Sequence, residues 1–153
     1  LATIHRADNT DDPNRLAAVL GALASAPVPV VLLAHPRLVA MAARHELPLT
    51  VGSLVASAPL AYPQMVRAIM ASAGVATDSG GLQKEAFLLE APTTTIRTET
   101  EWGETLCDGW NILDPDLVRL HEVMARPRPT APRGTPYGDG HAAEHAVRAI
   151  VDA

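Results

Sequence analysis

The feature that most constrains the fold is a regular alternation of short apolar runs with amphipathic segments along the chain. Val28–Ala34 is an apolar run of strand length, which is typical of a strand buried on both faces of a sheet. Just before it, four apolar residues recur at helical spacing: Leu16, Val19, Leu20 and Leu23. Because strands and helices alternate in this way, the sequence predicts a parallel sheet with helices on both faces.

Turn residues and periodicity give the expected position of each element. The strands are expected at Leu1–Ile4, Val28–Ala34, Leu49–Val51, Gly74–Thr77, Pro92–Ile96 and Trp110–Leu113. The helices are expected between Pro13 and Pro27, from Pro36 onward, and over Tyr62–Ala73, Gly81–Leu89, Asp116–Ala125 and Asp139–Val151. We expect Ser53–Ser57 to be irregular and Arg126–Thr135 to be a surface loop. Ligands of such folds bind beyond the carboxyl ends of the strands, so the loops that leave the strands are where a site is expected.

The length, charge and cysteine content of the chain exclude several classes of function. The chain has 153 residues and a net charge of -5 without a run of Lys or Arg, so we expect neither nucleic acid nor a membrane surface as a partner. Its length fits one domain, residues 1–153, and no apolar run approaches the roughly 20 residues that a transmembrane helix needs. The single cysteine, Cys107, excludes an intrachain disulfide and predicts a reducing, cytoplasmic location. Because the chain opens at Leu1 rather than Met, we expect its natural N-terminus to lie elsewhere.

The sharpest local signal is Val75–Ala86, where a predicted strand ends, a Ser-Gly-Gly turn follows and a helix begins. Gly80 and Gly81 have no side chain, so a ligand can approach the backbone closely. The first N–H groups of a helix are unpaired and carry partial positive charge, which makes a cradle for a diphosphate. Ser79 adds a hydroxyl, and Glu85, one turn further on, is placed to bind a pair of sugar hydroxyls. The alternative is an ordinary N-capped helix after a tight turn.

Two other polar segments are candidates for the same site. In Thr3–Thr10, which follows the first strand, His5 can act as acid, base or phosphate donor and Arg6 as an anion clamp. A capping and turn cluster would have the same composition. Pro136–Glu144 is a glycine-bracketed loop that, by itself, is typical of a turn before a capped helix. His35 stands at the end of a strand, and no set of residues predicts a metal site.

Taken in order, these motifs resemble those of the non-hydrolysing UDP-N-acetylglucosamine 2-epimerases, in the carboxyl-terminal domain. The family pattern T-x-H-R-x-E-N is similar to Thr3–Asn9, with Asp8 in place of the usual glutamate. The pattern T-D-S-G-G-x-Q-x-E-A matches Thr77–Ala86 at every specified position. The pattern R-x-x-T-E-(R/W)-x-E is similar to Arg97–Thr105, and Pro136–Gly140 matches the terminal P-Y-G-D-G. The resemblance covers nearly the whole chain.

The resemblance implies an α/β, Rossmann-like, doubly wound parallel sheet that is the carboxyl-terminal domain of a glycosyltransferase-B-type two-domain fold. The implied reaction interconverts UDP-GlcNAc and UDP-ManNAc, by anti elimination of UDP and re-addition with the opposite configuration at C2. It implies no nicotinamide cofactor and no metal. The carboxylates credited with proton transfer at C2 belong mainly to the amino-terminal domain, which is absent here. We therefore expect this chain alone to bind UDP without epimerising.

The resemblance also implies the roles of individual residues. These are Ser79, Gly80 and Gly81 for the diphosphate, Glu85 for the ribose, His5 for the phosphates or the leaving-group oxygen, and Leu60 and Met65 for the uracil pocket. Family members often have glutamine and phenylalanine at the last two positions. Arg6 and His35 align with residues implicated in activation by substrate at a neighbouring interdomain site. Trp102 replaces a frequent arginine, which indicates a different sugar such as a 2,3-diacetamido uronate.

The partners and the alternatives follow from the same comparison of motifs. The expected partners are UDP or a UDP-sugar, the missing amino-terminal domain and, for the intact protein, a second copy in a homodimer. The expected setting is bacterial cell-surface polysaccharide biosynthesis. The chain could instead be the donor-nucleotide domain of a GT-B glycosyltransferase, but Thr77–Gly81 together with Pro136–Gly140 favours the epimerase. It could also be a non-catalytic nucleotide-sugar binding module, against which an upstream coding segment of about one more domain would argue.

Overall fold

Six parallel strands form one sheet in the computed structural model, which describes residues 1–152. The strands are β1 (Ala2–Thr3), β2 (Val30–Leu33), β3 (Leu54–Ser57), β4 (Val75–Thr77), β5 (Thr93–Thr95) and β6 (Asn111–Leu113). Their order across the sheet is β3-β2-β1-β4-β5-β6. This is the strand order of the Rossmann fold, whose order reverses between β1 and β4, so the predicted fold class is confirmed. A ligand crevice is expected at that reversal.

The helices lie on both faces of the sheet. They are α1 (Ala7–Thr10), α2 (Pro13–Ala24), α3 (Pro36–Arg44), α4 (Tyr62–Ala71), α5 (Gly80–Leu88), α6 (Leu120–Met124) and α7 (Ala142–Val151), with a 3-10 segment at Gly103–Gly109. Leu16 and Leu23 of α2 and Leu120 of α6 pack in one buried cluster with the sheet. Ile69 of α4 and Ala86 of α5 pack in a second cluster. Helices therefore bury much of the apolar surface of the sheet, which is the principal stabilising effect in such a fold.

Local sequence signals explain where several helices begin. Asp12 caps α2, because its carboxylate accepts a hydrogen bond from the N–H of Arg15 at 2.7 Å, and Pro13 occupies the first turn. His35 caps α3, since its Nδ1 accepts a hydrogen bond from the N–H of Arg37 at 3.1 Å. Both helices thus begin where the sequence predicted them.

The predicted third strand is wrong. The strand is Leu54–Ser57, within a segment expected to be irregular, and Leu49–Val51 is not a strand. Gly52 has a φ of +58° and turns the chain back, so that Val51 makes only an isolated bridge to Leu54. Leu54 is buried and pairs with Val30, whereas Val51 is exposed. The apolar residues before the glycine therefore belong to the turn.

The last third of the chain differs from prediction at its helix ends. α6 begins at Leu120 rather than Asp116, because Leu117 adopts a left-handed φ of +61° that no helix tolerates. α7 begins at Ala142 rather than Asp139, since Gly140 has a φ of +92°. Arg126, expected in a surface loop, instead donates to the carbonyl of Thr93 at 2.7 Å. Burial lowers the pKa of Arg126 to about 10. None of the described helices is long and apolar enough to cross a bilayer.

Three central strands end at one level and so position the site. Thr3, Thr77 and Thr95 lie side by side in β1, β4 and β5. The hydroxyls of Thr3 and Thr77 are hydrogen-bonded at 2.7 Å and buried. The residues that directly follow these threonines therefore emerge together at the carboxyl edge of the sheet.

Candidate functional site

A pocket of about 380 Å³ opens at the carboxyl edge, beside the point where the strand order reverses. It is lined by seven of the residues proposed from the sequence: His5, His35, Leu60, Met65, Ser79, Gly81 and Glu85. They come from the loops after β1, β2 and β3 and from α4 and α5. Gly80 and Arg6 are not in its lining; they lie on the other side of the start of α5. The fold thus brings residues that are distant in sequence into one concave site.

The start of α5 supplies the unpaired donors of this site. Ser79 is the N-cap, and its Oγ accepts a hydrogen bond from the N–H of Leu82 at 3.4 Å. The N-capped helix that the sequence analysis gave as the alternative to a diphosphate site is therefore present. Among residues 1–152, no acceptor takes the N–H of Gly80 or Gly81, so both remain free to bind an anion. The Ser79 hydroxyl proton is also available to a ligand.

The two glycines differ from their neighbours in the space around them rather than in backbone conformation. Neither is among the described residues with positive φ, so the turn itself does not require glycine at either position. A Cβ on Gly81 would meet nothing within 4 Å. A Cβ on Gly80 would lie 3.2 Å from Oε2 of Glu101 and 3.5 Å from Nε1 of Trp102. A Cβ at position 80 would therefore lie tightly against the Glu101 carboxylate, whereas at position 81 a side chain would extend into the pocket.

Asp78 organises the loop after β1, a role that the sequence analysis missed. Its side chain is fully buried, and its carboxylate accepts hydrogen bonds from the N–H groups of His5 at 3.1 Å and Arg6 at 2.9 Å. It also accepts from the side-chain amide of Asn9 at 3.1 Å. A buried carboxylate is stable only with such donors. The signal in the sequence was an acidic residue directly after a fully buried strand.

The same carboxylate orients His5. Nδ1 of His5 lies 3.6 Å from Oδ1 of Asp78, and the imidazole is about one-third exposed, at 35%. The His5 ring also lies 5.3 Å from the ring of His35, centroid to centroid, at a tilt of 38°. Because Nδ1 of His35 accepts from the Arg37 N–H, a neutral His35 carries its proton on Nε2. Two imidazoles therefore stand together in the wall of the pocket.

An ion cluster lies on the far side of Gly80. Arg97 donates to both carboxylate oxygens of Glu101, at 2.8 and 2.9 Å, and Arg6 lies 3.5 Å from the same carboxylate. The Arg97 hydrogen bonds lower the pKa of Glu101 to about 2. Glu101 in turn raises the pKa of Arg97. The cluster is a fixed arrangement of charges, and the sequence analysis assigned no role to Glu101.

Aromatic residues hold the loop at Pro136–Gly140 against α5. The ammonium of Lys84 lies 4.6 Å from the ring centroid of Trp102 and 4.5 Å from that of Tyr137. Such cation–π contacts stabilise exposed sites by about 0.5–1 kcal/mol each. The Tyr137 hydroxyl donates to Glu104 at 3.3 Å. Burial, followed by the charge of Glu104, raises the pKa of Tyr137 to about 12. This loop therefore frames the site from outside the pocket.

A larger hollow, of about 600 Å³, has a different chemistry. We call it the apolar groove; it is lined mainly by aliphatic residues of β2, β4 and α4 and of the segments beside them, including Val28, Val31, Ala68 and Val75. No ionisable side chain lines it. Within residues 1–152, no group of three or more His, Cys, Asp or Glu side chains could hold a metal ion.

Comparison with known proteins identifies relatives along the whole chain. Residues 1–151 match the family model described as UDP-N-acetylglucosamine 2-epimerase. The UDP-2,3-diacetamido-2,3-dideoxy-D-glucuronate 2-epimerase of Pseudomonas aeruginosa is 44% identical over 116 residues, which are 74% of this chain and 32% of the relative. The UDP-N-acetylglucosamine 2-epimerase of Methanocaldococcus jannaschii is 29% identical over 161 aligned positions, covering 98% of this chain and 43% of that protein.

Solved structures agree with the sequence relatives. The crystal structure of Methanocaldococcus jannaschii UDP-GlcNAc 2-epimerase in complex with UDP-GlcNAc and UDP superposes with a TM-score of 0.84 at 27% identity. The match covers 99% of this chain and 44% of that structure. The Neisseria meningitidis UDP-GlcNAc 2-epimerase, with a TM-score of 0.71 at 23% identity, shares the fold. The chain spans less than half the length of these relatives.

Proposed function

The chain belongs to the UDP-N-acetylglucosamine 2-epimerase family, and from that premise we propose that it is the UDP-binding, carboxyl-terminal domain of a two-domain epimerase. One observation carries the proposal: seven residues proposed from sequence motifs line a single pocket beside two unpaired N–H groups at the start of α5. A pocket with a few convergent polar groups at the reversal of strand order is where such folds bind ligands.

The proposed binding mode places each part of UDP against a different part of the site. The diphosphate binds the N–H groups of Gly80 and Gly81 and the Ser79 hydroxyl. The ribose hydroxyls bind the carboxylate of Glu85, one turn into α5. The base lies between Leu60 and Met65, both half-buried in the lining of the pocket. Glutamine and phenylalanine are usual at those positions, so we expect backbone contacts and apolar packing in place of base stacking.

The proposed chemistry of this half is stabilisation of the leaving group. When the bond between the sugar C1 and the phosphate oxygen breaks, UDP gains negative charge. Preorganised N–H donors stabilise that charge because they need no reorganisation as it develops. His5, whose backbone N–H donates to Asp78 at 3.1 Å, adds a donor to the phosphates or to the leaving-group oxygen. The proton transfers at C2 are assigned to carboxylates of the amino-terminal domain.

The proposal extends to the intact protein. Together with that amino-terminal domain, we propose a cytoplasmic isomerase that interconverts UDP-GlcNAc and UDP-ManNAc in bacterial cell-surface polysaccharide biosynthesis, and that forms a homodimer. The 44% identity to an epimerase of a diacetamido glucuronate, together with Trp102, supports a related uronate as an alternative sugar. Arg6 and His35 are proposed to take part in activation by substrate at the interdomain site.

A binding and turnover experiment tests the proposal. Calorimetric titration of the 153-residue chain with UDP should give saturable binding, while incubation with UDP-GlcNAc should give no UDP-ManNAc. Affinity should be weaker than for an intact enzyme, because only one wall of the cleft is present. Lack of UDP binding by the folded chain would contradict the proposed site. Turnover by this chain alone would contradict the assignment of the C2 chemistry to the other domain.

A further inference from the structure

A second set of polar groups lies on the side of Gly80 that faces away from the pocket. The pocket spans the region beyond β2, β1 and β4, whereas the cluster of Arg6, Glu101 and Arg97 lies beyond β1 and β5. Gly80 stands between them, with Oε2 of Glu101 3.2 Å from the place a Gly80 Cβ would occupy. The pocket and the cluster therefore lie on either side of the start of α5.

The far end keeps some hydrogen-bonding capacity beyond the contacts made within the fold. The Glu101 side chain is 52% exposed although Arg97 holds it on one side. The indole N–H of Trp102 lies 3.5 Å from the same Gly80 position, and no acceptor among residues 1–152 takes it. Because Glu101 has a pKa of about 2, it is an ionised acceptor at every physiological pH and cannot serve as a proton donor.

The order of groups in a nucleoside diphosphate sugar fixes which part reaches this end. Base, ribose, diphosphate and sugar follow one another, and the first two are assigned to the pocket. If the diphosphate lies at the start of α5, the sugar continues beyond Gly80, away from Leu60 and Met65. The side chains nearest to Gly80 on that side are those of Glu101 and Trp102.

Resting on the proposed UDP site, we propose that Glu101 is a sugar-binding residue, which accepts a hydrogen bond from a hydroxyl or amide N–H of the sugar. Arg97 is its positioning residue, since the two hydrogen bonds fix the carboxylate plane next to Gly80. Arg6 balances the charge, so the carboxylate does not repel the neighbouring diphosphate. Glu101 thereby discriminates a UDP-sugar from UDP.

The test compares two ligands on three proteins. Kd values for UDP and for UDP-GlcNAc are measured by calorimetry with the unaltered chain, with Glu101→Gln and with Glu99→Gln. The matched control removes the same charge two residues away, from an exposed side chain in the same loop. We expect Glu101→Gln to weaken UDP-GlcNAc binding about tenfold or more, as for loss of one charge-assisted hydrogen bond. UDP binding should stay the same or become slightly tighter, and Glu99→Gln should change both ligands equally.

The other outcomes separate this role from the UDP site itself. If the unaltered folded chain binds neither ligand, the UDP site and the role of Glu101 both fail. If it binds UDP but does not distinguish UDP-GlcNAc from UDP, or if Glu101→Gln leaves that distinction unchanged, only the role of Glu101 is overturned. A Glu101→Gln chain that loses both ligands and melts at a lower temperature would show that the residue only holds the loop, which also overturns the proposal.

Discussion

The carboxyl-edge pocket and the apolar groove differ in size and chemistry, and the pocket, although smaller, is the better candidate for a ligand site. The apolar groove, at about 600 Å³, exceeds the carboxyl-edge pocket, at about 380 Å³. Its lining has no ionisable side chain. The smaller pocket has two imidazoles, a carboxylate, a hydroxyl and a helix N-terminus. Convergent polar groups therefore identify the site better than volume does.

The two regions also differ in whether their buried polar groups need hydrogen-bond partners. At the carboxyl edge the buried carboxylate of Asp78 must receive donors from the loop after β1, or the cost of burying it is not offset. In the apolar groove, the side chain of Val31 is 44% exposed and has no polar group that would need a partner. Changes at the carboxyl edge should therefore affect ligand binding, whereas changes in the groove should affect only stability.

The largest expected effect is that of Gly81→Val, which should abolish measurable UDP binding. The valine side chain would occupy the pocket where phosphate oxygens must approach the N–H groups. The fold should tolerate it, since a Cβ at this position meets nothing within 4 Å and φ is not positive. Calorimetry with UDP, together with thermal unfolding of the same variant, measures the two effects separately.

The matched control for this variant is Val31→Ser in the apolar groove. It should leave the Kd for UDP unchanged, because Val31 lines the groove and is not in the lining of the carboxyl-edge pocket. If Gly81→Val folds and binds UDP normally, or if Val31→Ser reduces binding as strongly, the assignment of the nucleotide to the carboxyl edge is wrong.

A smaller effect is expected for Glu85→Ala, and it should depend on the ligand. A carboxylate one turn into α5 repels phosphate but accepts hydrogen bonds from two ribose hydroxyls. Its loss should cost about 1.5–3 kcal/mol of UDP affinity. Pyrophosphate, which has no ribose, serves as the control ligand and should bind as well or better. Equal losses for the two ligands in calorimetric titrations would exclude the ribose contact.

The smallest effect is expected for Ser79→Ala, about 0.5–1.5 kcal/mol of UDP affinity. The variant removes one hydroxyl and leaves the two glycine N–H groups in place. It also removes the N-cap of α5, which typically stabilises by about 0.5–2 kcal/mol, and the 3.4 Å length of its hydrogen bond to Leu82 favours the low end. Binding and unfolding measured on one sample test this. A loss of affinity as large as that of Gly81→Val would mean that the hydroxyl, not the backbone, holds the diphosphate.

The sequence predicted those parts of the fold that depend on local patterns. β2, β4 and β5 lie within their predicted ranges because each is a short apolar or β-branched run between turn residues, although Val31 of β2 is 44% exposed rather than buried as predicted. β3 was misplaced because Gly52 lies between two apolar stretches of similar strength. Only pairing with β2, more than 20 residues away in the chain, decides which stretch is the strand.

The same limit applies to the candidate site. His5 and Ser79 stand in recognisable motifs, so they could be proposed from the sequence, and the fold brings them to one pocket. The hydrogen bonds from His5 to Asp78 and from Arg6 to Glu101 join residues 73 and 95 positions apart. Without the strand order, nothing in the sequence specifies those pairs. The binding roles themselves stay predictions until a ligand is measured.

The most direct test is to locate UDP on the molecule by titrating the isotopically labelled chain and following its backbone amide resonances. Binding at the carboxyl edge predicts the largest chemical-shift changes at Gly80, Gly81 and Leu82, with smaller changes at His5. The amide resonances of residues that line the apolar groove, such as Ala73 and Val75, should not shift. Saturable shifts centred on the groove, with unchanged resonances from Gly80 to Leu82, would contradict the proposed UDP site.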